Sequence, residues 1–182
     1  IEIRYGVMNA SLYSESRRGT RNDDKVHFCV LGYLDNPWKG ADTAIQAFRQ
    51  LPSSVSERCM LHLAAYESPP RHADGNIITY GWMDKEKIPG FLAGMDVMLV
   101  PSRDENVMRE TFCQSMVQGM LSGLPVVIND LPVLTEKLDD GGGMVFRSVG
   151  ELTGAIVKLA GDVELRQEMG EQGRRTALGR YV

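Results

Sequence analysis

The feature that most constrains this chain is a series of short apolar runs, each closed by turn residues and separated from the next by polar or helical stretches. The first is Val26-His27-Phe28-Cys29-Val30-Leu31-Gly32. Met60 to Ala65, Asn76 to Tyr80, Asp96 to Val100, Leu124 to Ile128 and Met144 to Phe146 follow. They do not show the strict apolar–polar alternation of a strand with one wet face. Runs of this kind predict parallel strands buried on both faces by helices. Between them, Ala44, Ile45, Phe48 and Leu51 recur at helical spacing within Ala41 to Leu51. Lys85 to Ala93, Glu110 to Leu121, Glu151 to Ala160 and Glu164 to Leu178 also predict helices. The expected fold class is α/β, a doubly wound parallel sheet.

The stretch before the first strand is different. Ser14 to Lys25 (SESRRGTRNDDK) is polar and charged and predicts a linker or exposed loop. The expected division is therefore 1–25, an inter-domain linker or N-terminal arm, and 26–182, one ligand-binding domain. A length of 182 residues fits that number of domains. Hydrophobic residues at 43% and charged residues at 24% exclude wholesale disorder. Lys plus Arg number 20 against 24 Asp plus Glu, a net charge of −4. Such a chain has no global attraction for nucleic acid, and none is expected as a partner.

Cys29, Cys59 and Cys113 are odd in number and lack metal-ligand spacing. They read as reduced, mostly buried thiols, which places the protein in the cytoplasm. No apolar run approaches the roughly 20 residues of a membrane span. The chain opens on Ile1-Glu2-Ile3 with neither initiator Met nor signal peptide, and is expected to be a piece of a longer protein.

Doubly wound sheets bind ligands at the carboxyl ends of their strands, beside helix N-termini. The search for a site thus narrows to residues 32–40, 66–75, 81–84, 101–110 and 129–133. Two segments carry chemistry. Gly32-Tyr33-Leu34-Asp35-Asn36-Pro37-Trp38-Lys39-Gly40 leaves a strand and enters a helix. Its glycines allow close backbone approach, the helix start offers free N–H groups, and Lys39 supplies a charge suited to phosphate. The plain alternative is an ordinary strand–helix loop with a surface lysine. Pro101 to Glu110, with the expected helix through Leu121, is the second. On one helix Glu110 and Gln118 would lie about 12 Å apart along the axis and about 80° apart around it. Both could then face one crevice. Equally, Glu110 could serve the helix dipole and Gln118 could be solvated. His27, His62 and His72 are scattered, and the first two read as satisfied histidines within strands.

Together these segments resemble the retaining glycosyltransferases of family 4. The segments are Gly32 through Lys39-Gly40, Tyr80-Gly81-Trp82-Met83-Asp84, Asp96 to Ser102, Glu110-x7-Gln118 and Gly123-Leu124-Pro125-Val126-Val127. The match is to the C-terminal, donor-binding half of the GT-B fold, a Rossmann-like domain. Tyr5-Gly6-Val7 is similar to the segment leading into that half.

The resemblance implies binding of a nucleotide sugar, a UDP-sugar or GDP-sugar, with no metal and no other cofactor. It implies transfer of the sugar with retention at the anomeric carbon. Lys39 would grip the pyrophosphate, with Gly32 and Tyr33 in the same loop. Gly81, Trp82 and Met83 would border the base. Glu110 would meet the donor sugar as the catalytic residue, and Thr111, Phe112 and Cys113 would line the donor. Gln118 would stand where the family's second glutamate binds ribose. The acceptor half would be N-terminal and absent from this chain, so the piece alone is expected to bind donor without turning it over. Cytoplasmic localisation, and peripheral contact with a membrane through that missing half, are further expectations.

Three positions depart from the family pattern. Tyr33 replaces the usual phosphate-binding Arg, Cys113 replaces the Gly three after the first glutamate, and Gln118 replaces a glutamate. Glu105 is an alternative first glutamate, with Cys113 eight residues on. The departures keep two other functions open. One is a non-catalytic GT-B-like nucleotide-binding module. The other is a different GT-B enzyme such as a sugar-nucleotide epimerase.

Overall fold

In the computed structural model, residues 8–13, 23–65, 75–81, 83–104, 110–138 and 141–182 are described. Six strands among them form one sheet. They are β1 (Val26–Gly32), β2 (Cys59–Ala65), β3 (Ile77–Tyr80), β4 (Val97–Val100), β5 (Val126–Asn129) and β6 (Gly143–Phe146). Their order is β3-β2-β1-β4-β5-β6, and every neighbouring pair is parallel. The winding reverses between β1 and β4, which makes the carboxyl ends of these two strands the switch point where such sheets open a crevice.

The apolar runs fail to alternate because both faces are covered. Val26, Phe28 and Val30 of β1 pack on one side with α1 (Ala41–Arg49) and α6 (Val149–Gly161). Cys29 and Leu31 pack on the other side with α3 (Ile88–Ala93), α4 (Gln114–Leu121) and α7 (Val163–Arg180). The last two helices are separated by Asp162, whose Oδ1 accepts the Leu165 N–H at 2.8 Å and caps α7. Two short helices have no signal in the periodicity. They are α2 (Ser53–Ser56) and α5 (Pro132–Thr135). Each begins at or just after a proline, whose fixed φ suits a first helical turn.

One predicted helix starts later than expected. The reading from Glu110 is corrected to Gln114, so Glu110, Thr111 and Phe112 precede the helix. Glu110 Oε1 accepts the Cys113 N–H at 3.1 Å and closes a turn ahead of it. Cys113 is then left-handed, with φ 61°, and a helix cannot propagate back through that residue.

Of the N-terminal arm, residues 8–13 are seated on the domain. Met8 and Tyr13 are buried in the second core. The Met8 N–H donates to the Tyr181 carbonyl at 3.2 Å, and Arg174 Nη1 donates to the Tyr13 carbonyl at 2.7 Å. No helix of the described residues is long and apolar enough to cross a membrane.

Candidate functional site

The loop after β1 rises from Gly32, makes a 3-10 turn over Pro37–Lys39 and enters α1 at Gly40. Gly32 leaves room for Lys39, since a Cβ there would sit 3.8 Å from the lysine Cδ and Cε. The Lys39 ammonium lies 4.2 Å over the Trp38 ring. From there it donates to Glu110 Oε2 at 2.6 Å. Side-chain exposures are 13% for Lys39 and 7% for Glu110, so the pair is largely withdrawn from water. Ser102 Oγ donates to the same carboxylate oxygen at 3.3 Å. Two residues chosen separately from the sequence thus meet, 71 positions apart, across the switch point between β1 and β4.

The surroundings hold this contact in place. Ser102 follows β4, and its carbonyl accepts from Asn129 Nδ2 at the end of β5, at 3.0 Å. The Arg103 N–H donates to the Trp38 carbonyl at 2.8 Å. Its guanidinium reaches Asp42 Oδ2 at 3.1 Å and Thr43 Oγ1 at 3.3 Å on the first turn of α1. The two loops are therefore tied by main chain and by side chain. A recess lined by Leu34, Lys39, Pro101, Ser102 and Ser115 lies between them. It is flanked by the N-termini of α1 and α4, whose first N–H groups have no partner within the helix. An anion entering here would meet an ammonium and two helix starts.

Cys113 sits at the N-cap of α4 and is the only described non-glycine residue with positive φ. That is the position, three after Glu110, where the resembling family has glycine. The backbone there takes the left-handed conformation that favours glycine. Glu110 is the glutamate that this geometry brings to Lys39. Glu105 lies outside the described residues. Burial pushes the Cys113 thiol pKa up, and the Glu110 charge adds to the rise. The thiol is thus neutral, with Sγ 3.6 Å from Ser115 Oγ.

The other candidates are placed as follows. Tyr33 is 45% exposed and lies on the same loop as Lys39. Gly81 is open, and a Cβ there would meet nothing within 4 Å. The Met83 side chain is buried in the second core. Trp82 lies outside the described residues. Thr111 is exposed, while the Phe112 ring packs edge-on against Tyr181 at 5.6 Å. Gln118 does not share a helix with Glu110, so the expected 12 Å geometry does not apply. Its Nε2 donates to the Tyr13 phenol at 3.0 Å.

Ser102, Trp38 and Tyr13 were missed. Ser102 directly follows the Pro101 that closes a predicted strand, and Trp38 precedes the lysine. Both were visible as loop neighbours, but nothing in the sequence showed what they touch. Away from the site, His27 and His62 are buried and hydrogen-bonded as expected. His27 Nδ1 lies 2.7 Å from His62 Nε2, and His62 Nδ1 lies 2.9 Å from the Tyr80 hydroxyl. His72 lies outside the described residues. The three cysteines are free and buried.

The comparisons agree with this fold. A sequence profile of the family described as Glycosyl transferases group 1 matches residues 25–162. An uncharacterized 41.2 kDa protein in the cps region of Klebsiella pneumoniae is 31% identical over 109 residues, 60% of this chain and 26% of that protein. An uncharacterized glycosyltransferase of Methanocaldococcus jannaschii is 24% identical over 162 residues, 83% of this chain and 40% of that protein. The chain therefore spans well under two thirds of either curated relative. Among solved structures, Anabaena HepE in complex with UDP and glucose superposes with a TM-score of 0.79 at 19% identity, over 99% of this chain and 52% of that one. The C-terminal domain of the glycosyl transferase group 1 family protein LpcC from Francisella tularensis gives 0.77 at 19% identity, over 96% of this chain and 98% of that one. The fold is one Rossmann-like half of a GT-B architecture.

Proposed function

Because this chain belongs to the glycosyl transferases group 1 family, we propose that it is the donor-binding half of a retaining glycosyltransferase. The whole protein would move a sugar from a UDP-sugar or GDP-sugar to an acceptor glycan, lipid or small molecule. The observation that carries this reading is the Lys39–Glu110 contact at the β1/β4 switch point. It brings a cation for the diphosphate and a carboxylate for the sugar hydroxyls to one spot, between two helix N-termini. The similar Anabaena HepE structure, in complex with UDP and glucose, supports the choice of ligand class.

In this mechanism Lys39 and the first N–H groups of α1 and α4 hold the diphosphate. Glu110 accepts hydrogen bonds from donor-sugar hydroxyls. The bond from the anomeric carbon to the diphosphate oxygen breaks as the acceptor hydroxyl attacks from the donor face. The electron pair leaves with the diphosphate, which also receives the acceptor's proton. The domain contributes positioning and stabilisation of the leaving charge. The acceptor, and the exclusion of water, belong to the other half of the protein. Tyr33 brings no charge to the diphosphate, so Lys39 supplies the side-chain cation.

Calorimetric titration of the chain with UDP, GDP, ADP and their sugars tests the reading. One base should bind, with the sugar form distinguishable from the free diphosphate. Absence of heat with all of them overturns donor binding. A further expectation separates the two carboxyl-side residues. Glu110→Gln releases Lys39 from its partner and should spare binding of the diphosphate, while abolishing the difference between diphosphate and nucleotide sugar. Gln118→Ala should weaken both about threefold to tenfold through the ribose, the worth of one neutral hydrogen bond. Unchanged binding and unchanged full-length activity in both variants would discard these assignments.

The second reading, a module that binds without transfer, rests on Tyr33, Cys113 and Gln118. The left-handed backbone at Cys113 supports the first reading, since that turn has the conformation a glycine at this place would take. Full-length activity with a donor panel separates the two.

A further inference from the structure

The two buried histidines belong to one hydrogen-bonded line that the donor site does not use. It starts at Asp23, ahead of β1, whose Oδ1 and Oδ2 lie 3.1 Å and 3.2 Å from His27 Nε2. His27 Nδ1 lies 2.7 Å from His62 Nε2, and His62 Nδ1 lies 2.9 Å from the Tyr80 hydroxyl. The strand register gives the line a direction. His27 pairs with Met60 and His62 with Ile78, so each link steps two residues forward onto the next strand. The line therefore crosses three strands diagonally, from the amino edge of the sheet at Asp23 to its carboxyl edge at Tyr80. Ligands of doubly wound sheets bind at that second edge. The histidines are 6% and 4% exposed, whereas the Asp23 side chain is 45% exposed and open to solvent.

A carboxylate only accepts hydrogen bonds, and a neutral imidazole has one donor and one acceptor. The polarity of the whole line follows from those two facts. His27 Nε2–H donates to Asp23, so its Nδ1 accepts from His62 Nε2–H. His62 Nδ1 then accepts from the Tyr80 O–H. Burial pushes the Tyr80 phenol pKa up, so the hydroxyl keeps its hydrogen. One added proton fits the same geometry when a hydrogen shifts along each inner link toward Asp23. His27 then carries both N–H groups beside Asp23. His62 stays neutral with its hydrogen on Nδ1, and Tyr80 accepts from it instead of donating. The added proton is the new Tyr80 hydroxyl hydrogen, turned outward. A second proton does not fit, because it would set two N–H groups head to head across 2.7 Å.

Other ionisable groups surround the line. Asp96 Oδ2 accepts the His27 main-chain N–H at 2.8 Å and brings a second carboxylate to this end. Lys25 Nζ lies 3.7 Å from Sδ of Met60, the residue paired with His27. Cys29 is neutral, since burial pushes its thiol pKa up and the Asp96 carboxylate adds to the rise. The Phe91 ring of α3 lies 6.4 Å from His62 and 5.4 Å from Tyr80, and α3 brings no ionisable side chain. We propose that Asp23, His27, His62 and Tyr80 form a single-proton relay across the sheet, a pH-sensitive switch that turns the Tyr80 hydroxyl from an inward to an outward donor. Tyr80 ends β3 directly before Gly81, so the reversal takes place at the ligand edge. The relay stands apart from the donor-binding reading and survives its failure.

Imidazole 15N resonances of the histidine-labelled chain report ring charge and tautomer, and can be followed from about pH 8 down to about pH 5. At the alkaline end both rings should be neutral with hydrogen on Nε2. On acidification His27 should become doubly protonated while His62 stays neutral and moves its hydrogen to Nδ1. The Tyr80 Cζ resonance should change in step. Tyr80→Phe removes the acceptor for that hydrogen and should suppress both the His62 exchange and the proton uptake. Asp23→Asn should move both to lower pH, because the carboxylate facing the charge is gone. A His62 with hydrogen on Nδ1 at the alkaline end, or imidazolium on both rings of the folded chain, would overturn the relay. Rings that keep their alkaline tautomers throughout would show a static line and overturn the switch. So would an exchange that Tyr80→Phe leaves intact. The wild-type spectra decide the tautomers and the proton count even where a variant fails to fold.

Discussion

Lys39→Ala should weaken binding of a nucleoside diphosphate about tenfold to a hundredfold and leave the free nucleoside within about twofold. A hydrogen bond from a charged donor is worth about 1.5–3 kcal/mol, and the Lys39 side chain is only 13% exposed, so solvent screens it weakly. The nucleoside has no diphosphate for Lys39 to meet and serves as the internal control. A second effect adds to the loss. The Glu110 side chain is 7% exposed and sits against Lys39 at 2.6 Å. Without the lysine, that carboxylate keeps only Ser102 Oγ and the Cys113 N–H, and it repels an incoming diphosphate. Lys39→Ala/Glu110→Gln should therefore bind the diphosphate better than Lys39→Ala alone. Isothermal titration of the two variants measures both statements. Equal losses for nucleoside and diphosphate would remove Lys39 from the phosphate site.

Gly40→Ala should destabilise the domain by about 3 kcal/mol and lower its melting temperature by roughly 6–12 °C. The residue is left-handed, φ 71°, which costs an L side chain about 1–2 kcal/mol. The larger difficulty is space. A Cβ would stand 2.1 Å from the Pro101 carbonyl oxygen and 2.8 Å from its carbon, both backbone atoms just past β4. Either the α1 entrance or the Pro101–Ser102 loop must move, and overpacking of this kind costs about 1–3 kcal/mol. The same movement separates Lys39 from Glu110, so donor binding should fall with stability. Gly154→Ala is the control. It lies within α6, where a Cβ meets nothing within 4 Å, and it should be neutral or stabilising by up to about 1 kcal/mol. Calorimetric melting of the two variants beside the wild type decides. A Gly40→Ala protein that melts with the wild type would show that the close approach does not exist in solution.

The candidate site was legible where local chemistry marks it. A strand closed by Gly32, a lysine seven residues on and a helix start describe an anion site within nine consecutive residues. Glu110 was legible only through resemblance, because a glutamate before an apolar helix has several uses. The helix start is not legible, because period alone cannot see a side chain capturing an N–H. Glu110 Oε1 takes that of Cys113, and the helix begins at Gln114 instead. The burial of Tyr13 is not legible either, since one aromatic residue beside a polar stretch gives no sign of the core it enters.

By itself, the sequence determined the six strands. Runs such as Val26–Gly32 and Val97–Val100 are too short and too uniformly apolar for anything but strands covered on both faces, and that requirement is local. The tertiary structure alone decided which elements become neighbours. The order β3-β2-β1-β4-β5-β6 sets β1 beside β4, and only that adjacency brings Lys39 to Glu110 and Gly40 to Pro101. The physical reason lies in the range of the interactions. Hydrophobic periodicity is written in residues three or four apart, whereas a 2.6 Å ion pair between positions 39 and 110 exists only after the sheet has closed the distance.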